Sequence, residues 1–238
     1  MKDFREEFNK IVNLIETQNS FVFVRYGDGE VYLMEGKTIG KHTQAHLVDK
    51  WESSGFSKLG KELANSIKNS DWYYGIPCKC CNEYCKNYLI KLINVPNEQF
   101  TYANLWANAN YPLFLDWIKK INSEVVLIAN KEAQKNLNKF PFKISEFFPI
   151  QDDCVNFYEK NSETLIEQLK SLSSRHQNKI FFVSAGPLSE VMINFLYNFN
   201  KYNKYVDVGS SLDEFTHQRT TRPYMIKGSM YNQKVCNF

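Results

Sequence analysis

The chain has no run of about eighteen apolar residues, so no stretch of it reads as a membrane-spanning helix. It also shows no apolar core with a small-residue cleavage site near its start. MKDFREEFNKIVNLIE is charged and amphipathic, which predicts a cytoplasmic protein. A long basic block is missing as well: 29 basic and 26 acidic residues are scattered for a net charge of +3, without the electrostatic footprint of a nucleic-acid binder. Cysteine is sparse, six in 238 residues, and the two separated C-x2-4-C pairs of a common structural zinc site are absent. Four of the six, Cys78, Cys80, Cys81 and Cys85, nevertheless crowd into eight residues. A cytoplasmic setting argues against disulfides, which leaves a soft-metal site, zinc foremost, or reduced thiols packed at a helix start. Acidic residues are missing from His217 to Lys234, where Arg219, Arg222, Lys227 and Lys234 stand alone. Such a segment suits a diphosphate or an anionic lipid-linked acceptor, or it is a solvated tail.

What is present supports a well-packed globule. With 43% hydrophobic and 15% aromatic residues, 238 residues suffice for one sizeable core, and a single domain is expected. Phe4, Phe8, Ile11, Val12 and Ile15 share one face of a first helix. Apolar strand-like runs at Phe21–Val24, Asp71–Ile76, Phe100–Ala103, Glu124–Ala129, Ile144–Ile150, Lys179–Ser184 and Tyr205–Val208 alternate with helix-spaced segments. Phe56, Leu59, Leu63 and Ile67 mark one such helix, and Tyr84 to Ile93 another, with Tyr84, Tyr88, Leu89, Leu92 and Ile93 on one side. The alternation predicts an α/β fold, Rossmann-like, with a mostly parallel sheet flanked by helices. Its core runs over about residues 20 to 215, with the basic segment 215–238 beyond.

The chemistry concentrates at strand ends, where an open α/β sheet binds its ligands. In FVFVRYGDGEVYLME the strand Phe21–Val24 runs into Arg25-Tyr26-Gly27-Asp28-Gly29-Glu30. Asp28 and Glu30 are hard anionic ligands one residue apart, on a turn whose glycines permit positive φ or a close approach. Ordinary hairpin chemistry gives the same four residues, with Val31–Met34 as the return strand. Lys41, His42 and Gln44 lie just beyond and could line a site. Asn104, Asn108 and Asn110 follow the third strand and offer uncharged donors and acceptors for sugar hydroxyls or a base edge, or serve as caps. After the fourth strand, Asn130 and Lys131 open a helix where amides and a positive charge converge, a workable phosphate site; Asp152 and Asp153 are spare carboxylates further on. Ser184, Ala185, Gly186 and Pro187 form a tight strand-to-helix turn with room for a ligand's edge. Asp207 leads into Gly209, Ser210, Ser211 and Asp213, with hydroxyls for capping or phosphate and carboxylates that could act as base.

Arg-aromatic-Gly-Asp-Gly-Glu, Ser-Ala-Gly-Pro and Asp-Val-Gly-Ser-Ser, in that order along residues 20 to 215, resemble the glycosyltransferases of the GT-D fold. The resemblance implies metal-assisted transfer of a sugar, such as a hexose, from a nucleotide donor, UDP-linked, to a glycan, glycoprotein or lipid-linked acceptor. Asp28 and Glu30 would hold Mn or Mg as the metal site and, with Asp207 and Asp213, form the catalytic set. Arg25, Gly27, Gly29, Asn104, Asn108, Lys131, Ser184, Ala185, Gly186, Gly209, Ser210, Ser211, Arg219 and Arg222 would bind the donor. Two other classes fit the same residues: a metal-dependent nucleotide-sugar phosphohydrolase, and a non-catalytic binding module stapled by the cysteine cluster.

Overall fold

Alternation along the strands decides the architecture. In the strand Phe21–Arg25 (β1), Val22 and Val24 face one side of the sheet and Phe21 and Phe23 the other, and all four are buried, so both faces need covering. The computed structural model describes residues 2–39 and 53–238; Lys41, His42 and Gln44 lie outside the described residues. A two-residue antiparallel ladder joins Thr38–Ile39 (β2) to Ser53–Ser54 (β3). Tyr73–Ile76 (β4), Phe100–Tyr102 (β5), Val125–Asn130 (β6), Ile144–Ile150 (β7), Ile180–Ser184 (β8) and Lys204–Asp207 (β9) join β1 in a seven-stranded sheet of order β5-β4-β1-β9-β8-β6-β7. Every pair in it is parallel.

Among the described residues the helices are Phe4–Thr17 (α1), Asp28–Met34 (α2), Lys58–Ser66 (α3), Lys79–Leu92 (α4), Tyr111–Ile118 (α5), Cys154–Ser174 (α6), Ser189–Phe199 (α7) and Asp213–His217 (α8). On one face, α2, α3, α4, α6 and α7 pack over Val22, Val24, Tyr74, Ile128 and Val183. On the other, α1 and α5 pack over Phe23, Leu127, Phe182 and Val206, with Trp106 stacked on Trp117 between them. From β1 the chain steps outward through β4 and β5 in one direction, then crosses to β6, adds β7 outside it and returns inward through β8 to β9. The order therefore reverses between β1 and β9, and the crevice at their carboxyl ends is where a ligand site is expected.

Three local expectations are corrected. Val31–Met34 is helix, not a return strand: the Gly27 N–H donates to the Glu30 carboxylate at 2.6 Å, a capping contact that starts α2 where a hairpin would have turned back. Phe56 precedes α3 and is exposed, while Leu59 and Leu63 carry the packing. The helix α4 starts earlier than its periodicity suggests and is broken at Asn82 (φ −158°, ψ 92°), whose side chain accepts from the Cys85 N–H at 3.1 Å and caps the remainder. That break rotates the buried face to Cys85 and Leu89 and leaves Tyr84 and Leu92 exposed.

The opposite, amino-terminal rim of the sheet is tied by charge. Glu124, just before β6, accepts from Lys143 at 2.5 Å and Lys179 at 2.6 Å, which lead into β7 and β8. Those two ammonium groups, Lys143 first, pull the Glu124 carboxyl from 4.5 down to about 2. A depressed carboxylate stabilises the fold above its unfolded pKa and loses that contribution as pH falls through the folded one. Wild type is therefore expected to melt above Glu124→Gln at neutral pH, with the gap closing between about pH 4.5 and 2. Melting curves across that range check it, and a gap independent of pH would remove the charge explanation.

Candidate active site

At the carboxyl ends of β1 and β9 one ion pair fixes the geometry. Arg25, the last residue of β1, donates from Nε to Asp207 Oδ2 at 2.9 Å and from Nη2 to Oδ1 at 3.3 Å, while its Nη1 bonds the Ala103 carbonyl at 3.0 Å. Asp207 also accepts from the Gly209 N–H at 2.8 Å and is almost fully buried. The carboxylate holds the guanidinium charged despite burial, raising its pKa above the ordinary arginine value.

Around this pair opens a cavity of about 470 Å³. The first turn of α2 contributes Gly27, Asp28, Gly29 and Glu30; the turn after β8 contributes Ser184, Ala185, Gly186 and Pro187; the segment after β9 contributes Gly209, Ser210 and Asp213; Arg219 to Arg222 close one side. Asp152 and Asp153 also stand in the wall. Arg25, Asp28, Glu30, Asp207, Asp213, Gly27, Gly29, Ser184, Ala185, Gly186, Gly209 and Ser210, all at strand ends, thus meet in one place, and Arg219 and Arg222 of the basic segment join them there.

Four expected donor residues do not. Asn104 and Asn108 turn toward the cysteines, donating from Nδ2 to Cys236 Sγ at 2.8 and 3.4 Å. Asn108 adopts φ 55°, which directs its amide inward. Ser211 is buried and donates to the Trp106 carbonyl at 3.2 Å, so it packs the floor behind the wall. Lys131 follows β6 on a short 3-10 turn and is held by Gln151 at 2.9 Å and Asp152 at 3.5 Å, outside the lining.

The glycines divide by need. Neither Gly27 nor Gly29 has positive φ; a Cβ on Gly27 would sit 3.0 Å from Glu30 Oε2, so close approach is what that glycine supplies. Gly186 (φ 57°) and Gly209 (φ 46°) are left-handed, but only Gly209 is also cramped: its Cβ would fall 1.6 Å from Arg25 Nη2, whereas at Gly186 the nearest atom is Cys154 Sγ at 3.7 Å.

Sequence reading missed Glu190. It lies on the first turn of α7, buried and in the cavity wall, with Oε2 lacking a hydrogen-bond partner. Burial first, then the neighbouring Asp207 and Glu30 charges, pushes its carboxyl well above the usual range. Desolvation likewise raises Glu30 to about 7, with Asp28 and Asp207 adding to the shift. Thr216, whose buried hydroxyl also lacks a partner, and His217, 2.6 Å from Glu132, complete the wall opposite. Acidic helix residues among apolar ones read as solvated face, so only the turn's proximity to β8 signals Glu190.

The carboxyls outnumber the cations here, and hard oxygens with two orphaned buried atoms, Glu190 Oε2 and Thr216 Oγ1, suit a hard divalent cation in chemistry. Asp28 and Glu30 stand at the α2 edge of the cavity. Asp28 is exposed, and Glu30 gives one oxygen to the Gly27 N–H. No group of three carboxylates converges as a preformed cage among the described residues.

No family model matches this sequence. No curated protein matches it either. Solved structures do. One, described as showing that the highly conserved domain of unknown function 1792 has a distinct glycosyltransferase fold, is 16% identical, with a TM-score of 0.57 over 90% of this chain and 81% of that one. Another, described as a new glycosyltransferase (DUF1792) from Streptococcus sanguinis, is 14% identical, with a TM-score of 0.56 over 91% of this chain and 85% of that one. A selenomethionine form of the same domain gives 15% identity and a TM-score of 0.58. This chain has the GT-D glycosyltransferase fold. Within that fold, no described helix is long and apolar enough to cross a membrane.

The two left-handed glycines separate strain from crowding. Gly186→Ala is expected to cost about 1–3 kcal/mol, the backbone term alone. Gly209→Ala must in addition displace Arg25 from Asp207, and breaking one side of a buried pair costs about 3–5 kcal/mol. Denaturant titrations of the two variants are expected to rank Gly209→Ala clearly lower; equal losses would show that Arg25 moves aside freely.

Proposed function

We propose that the protein is a metal-dependent glycosyltransferase that moves a sugar, such as a hexose, from a UDP-linked donor to a hydroxyl of a glycan, glycoprotein or lipid-linked acceptor. The observation that carries the reading is the meeting of Asp28 and Glu30, the Ser184–Gly186 turn and the Asp207–Ser210 segment around one polar cavity, within a glycosyltransferase fold.

Each residue's part follows from its contacts. Asp28 and Glu30 would hold Mn or Mg, which when bound supplies Lewis-acid stabilisation to the departing diphosphate. Arg25 is committed to Asp207 and the Ala103 carbonyl, so it positions the strand ends and lends its charge to the cavity without reorienting. Arg219 and Arg222, in the wall, offer planar forks to the phosphate oxygens. The turn at Gly186 lets a nucleotide approach the backbone, while Ser210 shares a hydrogen bond with Tyr224 at 2.9 Å and can orient a sugar hydroxyl. Asp207 and Asp213, both in the cavity wall, are the two carboxylates considered as base. Asp207 accepts from Arg25 Nε, Arg25 Nη2 and the Gly209 N–H, and Asp213 accepts from the Thr221 hydroxyl at 2.7 Å.

A ligand that binds only the native state must raise its melting temperature. UDP-sugars are expected to do so with manganese and far less without it. Asp28→Asn, at an exposed position, is expected to keep the unliganded melting temperature while losing the manganese-dependent shift. Arg222→Lys is expected to weaken donor binding roughly tenfold, the value of a lost charge-assisted hydrogen bond. Release of free sugar with no acceptor present would favour the hydrolase, and no shift with any nucleotide sugar would end the transferase reading.

A further inference from the structure

The crowded cysteines are not used by the cavity, and their geometry differs from the sequence expectation. Cys85 lies in the core beneath α4, where burial pushes its thiol up to about 11, and it takes no part in the cluster. Its place is taken by Cys236, from 151 residues further along the chain (236 − 85). The sulfurs of Cys78, Cys80, Cys81 and Cys236 all lie within 4.8 Å of one another. Cys78 and Cys236 are buried; Cys80 and Cys81 are exposed.

We propose that Cys78, Cys80, Cys81 and Cys236 bind one zinc ion as a tetrathiolate site that fastens the C-terminal segment to the start of α4. Zinc–sulfur bonds of about 2.3 Å in a tetrahedron set sulfurs about 3.8 Å apart. The pairs Cys78–Cys80 at 3.0 Å and Cys81–Cys236 at 4.0 Å bracket that spacing, so small rotations of the side chains complete the geometry. The break at Asn82 makes this possible. It separates the turn carrying Cys80 and Cys81 from the helix proper, so these two face Cys236 while Cys85 turns into the core.

The surroundings suit thiolates. Binding converts four thiols to thiolates, their protons passing to solvent, and leaves a net charge of −2 on the zinc and its ligands. Lys234 Nζ lies 3.3 Å from Cys81 Sγ, and the Asn104 and Asn108 amides donate to Cys236 Sγ. Such contacts orient metal ligands and spread their charge. A disulfide is a poorer account, because all four cysteines are free and the Cys78 and Cys80 sulfurs are 3.0 Å apart against about 2.05 Å for a bond. Iron–sulfur clusters spread four thiolates over two or four irons and so hold some of them further apart than this group stands. The site is independent of the sugar-transfer reading.

The test is the metal content of protein purified without chelator and with zinc in the growth medium. Wild type and Cys85→Ser are expected to carry one zinc per chain, and Cys236→Ser none. Cobalt exchanged into the wild type is expected to show a thiolate-to-cobalt charge-transfer band and the intense visible bands of tetrahedral coordination. Because Cys236→Ser could fail to fold, alkylation of wild type supplies a second measure. Cys80 and Cys81 are exposed and react readily when free, so slow modification that a chelator accelerates supports the site. Metal-free wild type with its thiols free or a disulfide formed, zinc retained by Cys236→Ser, or alkylation unchanged by chelator would each overturn it.

Discussion

The bidentate contact between Arg25 and Asp207 is the constraint on which the rest of the site depends. It joins the last residues of adjacent strands, β1 and β9, at the point where the sheet reverses its strand order. A buried pair of this kind is costly to form and more costly to break on one side, so its worth lies in fixing position. Both neighbours of the pair are dictated by it. Gly209 has to lack a side chain because the guanidinium occupies that space, and the Ala103 carbonyl has to face inward because Nη1 needs a third acceptor. Burial first, then neighbouring carboxylates, Asp28 and Asp207 around Glu30 and Asp207 and Glu30 around Glu190, raises both carboxyls.

Much of this was legible in the sequence because parallel strands covered on both faces are written as unbroken apolar runs. Phe21–Val24, Glu124–Ala129 and Lys179–Ser184 each mark a strand to within a residue or two. Strand ends then locate the ligand edge without any knowledge of contacts, and so Asp28, Ser184 and Asp207 could be brought together in advance, while Arg222 was reached only through the charge of its acid-free segment. Helical faces were harder. Glycine and aspartate in Gly27–Glu30 serve a hairpin and a helix start equally well, and only the Glu30 carboxylate folding back on the Gly27 N–H decides between them. Glu190 was hidden for a related reason: its helix is apolar on most sides, so a buried carboxylate leaves no periodic trace.

The asparagines and the cysteines were misread together, and for one cause. Asn104 and Asn108 follow a strand end as a donor site requires, and their loop meets the β1–β9 crevice through the Ala103 carbonyl and the Trp106 indole, but the two amides turn from it to Cys236. No spacing rule covers the sequence separation of Cys236 from Cys78. Local crowding pointed to Cys85 because it was near in sequence. The helix break at Asn82 sends it to the opposite side of the backbone.

The path of the last residues connects the two places. After α8 the chain passes Arg219 to Arg222 along the cavity, where Thr221 bonds Asp213, then sets Tyr224 on Ser210. It continues until the Lys234 carbonyl accepts from the Ala109 N–H at 3.1 Å and Cys236 meets the other cysteines. A wall made of such a segment is only as well placed as its anchors. The upstream anchor belongs to the site itself, through Asp213 and Ser210, while the downstream one lies beside β4 and β5 on the far side of Arg25. The tail therefore bridges the two halves of the sheet across the crevice that Arg25 and Asp207 close from below, and the arginines it carries face the cavity because both ends of the segment are held.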